Sequence, residues 1–205
     1  MKKRVFQGIA TALVTPMNPD GTVNYTNMAQ IIDGQIAQGI DALVICGTTG
    51  EASTLSVQEH VHTVSEAVRH VAGRVPVIAG TCSNDTSTAL ELTRGAVDAG
   101  ADAVLVTTPY YNKGTQKGLI QLFTTIADAS SKPVILYNVP SRTGMDIEPA
   151  TYEVLAQHEN IVATKEASGN ISKILEVSAR THGKLDIYSG NDDQIVPIMA
   201  LGGLG

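Results

Sequence analysis

Short, continuously apolar runs alternate along the chain with longer stretches of helical period. The runs cover residues 9–14, 42–46, 75–79, 103–106, 133–137, 161–164 and 185–188. They are rich in Val, Ile and Leu and show no polar alternation. That pattern marks strands buried on both faces and therefore a parallel sheet. Between them, apolar residues recur every three or four positions over 26–38, 56–71, 86–99, 118–129 and 171–181, which predicts helices. Ser56 precedes Glu59 in capping-box spacing, Asp85-Thr86 opens the third helix, and Gly39 and Gly100 stand where helices should stop.

Successive strand centres lie about 25 to 34 residues apart, the size of one βα unit. Two features favour a (β/α)8 TIM barrel over a doubly wound sheet. Polar clusters follow the strands, at Thr15-Pro16, Gly47 to Glu51, Thr107 to Tyr111, Tyr137 to Arg142, Lys165 to Gly169 and Ser189 to Asp193. A barrel builds its site from many such loops on one face. No G-x-G-x-x-G opens the first helix, as a dinucleotide-binding sheet would prefer. The expected architecture is α/β, one catalytic domain over 1–205. About seven βα units are present, so the barrel is expected to be C-terminally truncated. The terminal Leu201-Gly202-Gly203-Leu204-Gly205 has the character of a helix end and a turn into an eighth strand.

Composition narrows the function classes. A 205-residue chain that is 43% apolar and 17% charged can bury a substantial core and is not disordered. The net charge of −6 and the lack of any basic run beyond Lys2-Lys3-Arg4 supply no stripe for phosphate backbones, so nucleic acid is not expected as a partner. Cys46 and Cys82 stand far apart without companion ligands, which indicates neither a disulfide framework nor a zinc site. The basic start resembles a secretory signal, but Gln7, Gly8 and Thr11 interrupt its apolar part. No window reaches the length of a membrane span. The expected location is cytoplasmic, away from any membrane.

Lys165 is the sharpest chemical feature. At the carboxyl end of a buried run its ammonium is poorly solvated, which lowers its pKa toward that of a nucleophilic amine. A structural alternative is an ion pair with the adjacent Glu166. Tyr137 ends another run and offers a hydroxyl to the same mouth, unless it caps the core with one hydrogen bond. The glycines of Gly47-Thr48-Thr49-Gly50-Glu51 let backbone N–H groups approach an anion, and its threonines add donors. Arg142 offers a fork for a carboxylate, if it is more than a surface arginine. An amine, a hydroxyl and carboxylate holders together suit Schiff-base chemistry on a keto acid.

These blocks, with Tyr137-Asn138-Val139-Pro140-Ser141-Arg142-Thr143-Gly144, Lys165-Glu166-Ala167-Ser168-Gly169 and Thr107-Thr108-Pro109-Tyr110-Tyr111-Asn112, resemble the signature motifs of the pyruvate-dependent class I aldolase family. The resemblance is closest to the branch that condenses pyruvate with L-aspartate 4-semialdehyde to 4-hydroxy-tetrahydrodipicolinate, in lysine and diaminopimelate biosynthesis. It runs from about Gly8 to the last residue. It implies a barrel followed by a helical region, a homotetramer built as a dimer of dimers, and catalysis without metal or other cofactor. Lys165 would form the imine. Tyr137 would relay protons through Thr48 to Tyr111 of a neighbouring subunit. Thr48 and Thr49 would hold the pyruvate carboxylate, and Arg142 the carboxylate of the aldehyde. His60, Asn84 and Tyr110 match a lysine-effector site, whereas Val57 and Thr88 depart from it, so weak or absent inhibition is expected. The alternatives are an aldolase for another 2-keto acid and an inactive fragment. In the fragment, unpaired edges on the first and seventh strands would favour aggregation.

Overall fold

A computed structural model describes residues 2–205. Seven strands form one parallel sheet in strict chain order: β1 (Ala10–Ala12), β2 (Ala42–Ile45), β3 (Val77–Gly80), β4 (Ala103–Thr107), β5 (Val134–Asn138), β6 (Ile161–Glu166) and β7 (Asp186–Ser189). Helices α1 (Tyr25–Ala37), α2 (Val57–Val71), α3 (Thr86–Asp98), α4 (Gln116–Ala129), α5 (Pro140–Thr143), α6 (Pro149–Leu155), α7 (Ile171–Thr181) and α8 (Ile195–Ala200) fill the connections. Each strand pairs with the next in sequence, which curls the sheet into a barrel wall.

The absence of polar alternation has a direct cause. Leu43 and Ile45 of β2, with Val104 and Val106 of β4, pack outward against Ile32, Val64, Leu119 and Phe123 of the helices. Ala42, Val44, Ala103 and Leu105 of the same strands point inward against Ile78, Ile135, Val162 and Tyr188. Both faces of the wall are therefore buried. The expected caps are in place: Ser56 and Glu59 close a capping box on α2, and Asp85 accepts the Thr88 N–H at 2.7 Å. Gly39 and Gly100 take positive φ at the helix ends.

Two boundaries differ from expectation in ways that matter for chemistry. β6 runs through Glu166 rather than ending at Thr164, because Lys165 and Glu166 pair with Tyr137 and Asn138 of β5. Arg142 lies on the four-residue helix α5, not on an open loop, since Pro140 supplies a ready first helical position.

The far end of the barrel is occupied by the first residues. Phe6 stacks on Tyr188 with ring centroids 4.2 Å apart, and the Tyr188 hydroxyl donates to the Phe6 carbonyl at 2.6 Å. Lys2 Nζ donates to the carbonyls of Ala156 and Ile161 at 2.7 and 2.5 Å. The basic start is thus structural cement. After α8 the chain turns at Gly202 and enters the space beside β7. Leu204 N–H donates to the Ile187 carbonyl at 2.9 Å, Ser189 N–H to the Gly205 carbonyl at 2.8 Å, and Gly8 N–H to the Leu204 carbonyl at 3.0 Å. This short extended segment bridges β7 and the approach to β1, so those two edges are not bare along their whole length.

Candidate active site

The inward-facing residues at the carboxyl ends of β5 and β6 meet. Tyr137 and Lys165 are register partners, and Lys165 Nζ sits 4.7 Å from the Tyr137 ring centroid. Burial pushes the Lys165 pKa below that of an ordinary lysine; Arg142 adds to the effect and Asp192 opposes it. The neighbouring Cys82 thiol is itself pushed up to about 11 by burial. It is therefore neutral near pH 7 and offers the ammonium no counter-charge. Burial raises the Tyr137 phenol, while the nearby Arg142 and Thr48 act the other way. Among the described residues Lys165 makes no ion pair, and the Glu166 carboxylate faces away from it toward Asn138, Tyr152 and Ser168. The structural alternative for Lys165 is thereby removed.

Two cavities flank this pair. One, of about 200 Å³, opens onto Lys165, Thr49, Tyr188, Gly190 and Asp192. The other, of about 230 Å³, is lined by Thr48, Ser53, Cys82, Thr107, Tyr110 and Arg142. Consecutive residues Thr48 and Thr49 thus serve adjoining spaces, one beside the amine and one beside the guanidinium. Room beside Lys165 depends on Gly190, whose amide donates to the Glu166 carbonyl at 2.7 Å. A Cβ there would stand 2.7 Å from Ala167 Cβ and 3.2 Å from Lys165 Cε.

The loops around this mouth carry unusual backbone. Cys46, Glu51, Tyr111 and Lys113 all adopt positive φ, a conformation that non-glycine residues take at a cost of about 1–3 kcal/mol each. Tyr111 projects outward, 88% exposed. Asn84 and Asn112 bond to each other, with Asn112 Nδ2 donating to the Asn84 carbonyl at 2.7 Å. Tyr110 faces the second cavity. His60 is not brought to that surface: it is 2% exposed and its Nε2 lies 2.7 Å from the Gly80 carbonyl. Burial holds its pKa below the ordinary value, so the ring is neutral and donates to Gly80. Cys82, Ser53, Thr107, Gly190 and Asp192 line the site although sequence reasoning gave them no role. Thr107, Gly190 and Asp192 carried a signal, by falling in polar clusters directly after a buried run.

The model of the dihydrodipicolinate synthetase family matches residues 5–205. The chain belongs to this family. The 4-hydroxy-tetrahydrodipicolinate synthase of Lachnoclostridium phytofermentans is 55% identical over 202 residues, 98% of this chain and 69% of that one. The solved dihydrodipicolinate synthase of Aquifex aeolicus superposes with a TM-score of 0.95 at 44% identity, covering 98% of this chain and 68% of its own. The chloride-inhibited enzyme of Acinetobacter baumannii, solved with pyruvate, gives 0.95 at 46% identity over 97% and 68%. The chain therefore spans a little over two thirds of the length of these relatives, and its seven strands are those of a (β/α)8 barrel. Among the described residues no helix is long and apolar enough to cross a membrane.

Proposed function

We propose that the protein condenses pyruvate with L-aspartate 4-semialdehyde to 4-hydroxy-tetrahydrodipicolinate through a Schiff base on Lys165, acting in the cytoplasm as a homotetramer. The observation that carries this reading is Lys165 itself, partly buried over the Tyr137 ring at the carboxyl mouth of the barrel, with its pKa lowered. A lowered pKa supplies the neutral amine, which attacks the keto carbon of pyruvate; the carbinolamine then loses water to give the imine. Loss of a methyl proton yields the enamine, whose carbon attacks the aldehyde. The amino group of the acceptor then displaces Lys165 as the ring closes, freeing the amine.

Tyr137 is the proton carrier of this scheme, next to Thr48. Thr48 and Thr49 hold the pyruvate carboxylate and Arg142 that of the aldehyde. Tyr111, which points out of its own barrel, completes the relay of a neighbouring copy. Borohydride added with labelled pyruvate should fix label on Lys165, located by peptide mass mapping. Label elsewhere, or none, overturns the imine. Assaying several aldehydes side by side tests the acceptor, and faster turnover with another aldehyde would move the reading to a different pyruvate aldolase.

A further inference from the structure

The outward faces of the same two strands carry a buried polar cluster that the scheme above does not use. Successive residues of a strand point to opposite faces. Asn138 follows Tyr137 and Glu166 follows Lys165, and the two pairs are matched in register across β5 and β6. Asn138 is fully buried and Glu166 is 1% exposed. Asn138 Nδ2 donates to Glu166 Oε1 at 2.8 Å and to Asp146 Oδ1 at 2.7 Å, while its Oδ1 accepts from Ile147 N–H at 3.1 Å. Glu166 also accepts from the Ser168 N–H and the Tyr152 hydroxyl, both at 3.0 Å. The Tyr152 hydroxyl in turn accepts from Thr164 at 3.3 Å, and Asp146 pairs with Lys173 of α7. Every polar atom of the Asn138 amide is therefore used, and both Glu166 oxygens face donors.

A buried carboxylate with three donors and, among the described residues, no cation against it is costly to keep for packing alone, since apolar residues of similar volume serve a core as well. Its partners decide what it does. They come from β5, from the turn after β6, and from α6, so the carboxylate ties together the segments that aim Tyr137 and Lys165. We infer that Glu166 and Asn138 form an outer clamp that fixes the separation of Tyr137 and Lys165 on the opposite face of the wall. They are positioning residues, and their catalytic consequence rests on the Schiff-base reading.

The test uses two readouts in Glu166→Gln, which keeps the shape and removes an acceptor. The first is the ring-current shift of the Lys165 ε-methylene protons, which the Tyr137 ring imposes whether or not the chain turns over. The second is the rate of pyruvate methyl-proton exchange in D2O, divided by the number of sites that borohydride traps. A residue that only stabilised the fold would lower the number of trapped sites and leave the rate per site alone. The clamp requires a folded variant with at least half of the ring-current shift lost and exchange per trapped site reduced tenfold or more. A parent-like value of either overturns it. If Glu166→Gln does not melt cooperatively, Tyr152→Phe, which removes one donor, carries the test: a loss of at least threefold per site supports the clamp and no loss overturns it. Absence of trapping in the parent would sink the Schiff-base reading, while the ring-current comparison would still decide the clamp.

Discussion

Gly190→Ala tests the packing that gives Lys165 its space. The new methyl group would lie 2.7 Å from Ala167 Cβ, 3.2 Å from Lys165 Cε and 3.3 Å from the Glu166 carbonyl oxygen. Carbon atoms in contact sit about 3.5 to 4.0 Å apart, so the first separation is short by roughly 1 Å and the second by a few tenths. Ala167 has no rotamer by which to escape. Either the ends of β6 and β7 part, straining the 2.7 Å bond from the Gly190 amide to the Glu166 carbonyl, or the lysine swings aside. Overpacking of this size costs about 1–3 kcal/mol, which for a chain of this length lowers Tm by several degrees. Moving a reacting atom by about 1 Å costs on the order of a hundredfold in rate. The assay pairs a thermal melt with the rate of borohydride-trapped imine formation at saturating pyruvate. Trapping slowed about 10- to 100-fold with a lower Tm is expected. Parent-like trapping and melting would show that the wall absorbs the methyl group and that Gly190 does not set the lysine's position.

Tyr137→Phe keeps the ring beneath Lys165 and removes only the hydroxyl, so condensation should fall about 10²–10⁴-fold while imine trapping persists; loss of trapping would reassign Tyr137 to holding the lysine. Mixing a Tyr111→Phe chain with a Lys165→Ala chain should restore part of the activity in confirmed hybrid oligomers, and no recovery would count against a relay across subunits. Lys2 is lowered to about 8 by burial and by Lys184, against 10.5 in the unfolded chain. Between those values the unfolded chain binds the extra proton, so stability should rise with pH across the window. Urea midpoints should show that rise, and Lys2→Gln should flatten it; an identical slope in both chains would refute the assignment. L-Lysine should inhibit weakly or not at all, the outcome that the departures at Val57 and Thr88, whose hydroxyl donates to Asp85 at 2.7 Å, would imply; low-millimolar or tighter inhibition measured on initial rates would refute this.

The strands and long helices were legible because both faces of the wall are apolar and each long helix carries its own cap. Two kinds of feature were not. Helix α6 has seven residues, too few to display a helical period, and its one local signal was Pro149 at the first helical position. The end of β6 was placed too early because two charged residues interrupt the apolar run; what extends the strand is its pairing with Tyr137 and Asn138, which no local pattern records. Lys165, Tyr137, Thr48, Thr49 and Arg142 could be named as candidates because each ends or follows a buried run and bears a side chain suited to reaction or binding. Cys82 could not, since a thiol after β3 becomes part of the cavity only through the curl of the sheet. The solvent-facing pose of Tyr111 and the sealed position of His60 likewise depend on packing that lies far away in sequence.

The two-residue pleat of a parallel barrel divides each signature block between two tasks. In Tyr137-Asn138 and Lys165-Glu166 the first residue faces inward and the second faces the helices, so in the proposed scheme one reacts while its neighbour braces the wall. The arrangement follows from electrostatics as much as from geometry. A carboxylate on the inner face beside Lys165 would favour the ammonium and withhold the amine that imine formation needs. Turned outward, the same carboxylate takes its hydrogen bonds from Asn138, Tyr152 and Ser168, and it is not among the groups that shift the lysine. A charge can therefore brace the strand that carries the nucleophile without raising the nucleophile's pKa. Exchanging Lys165 and Glu166 would reverse both effects at once: the amine would lie among helices, and the buried carboxylate would stand in the mouth.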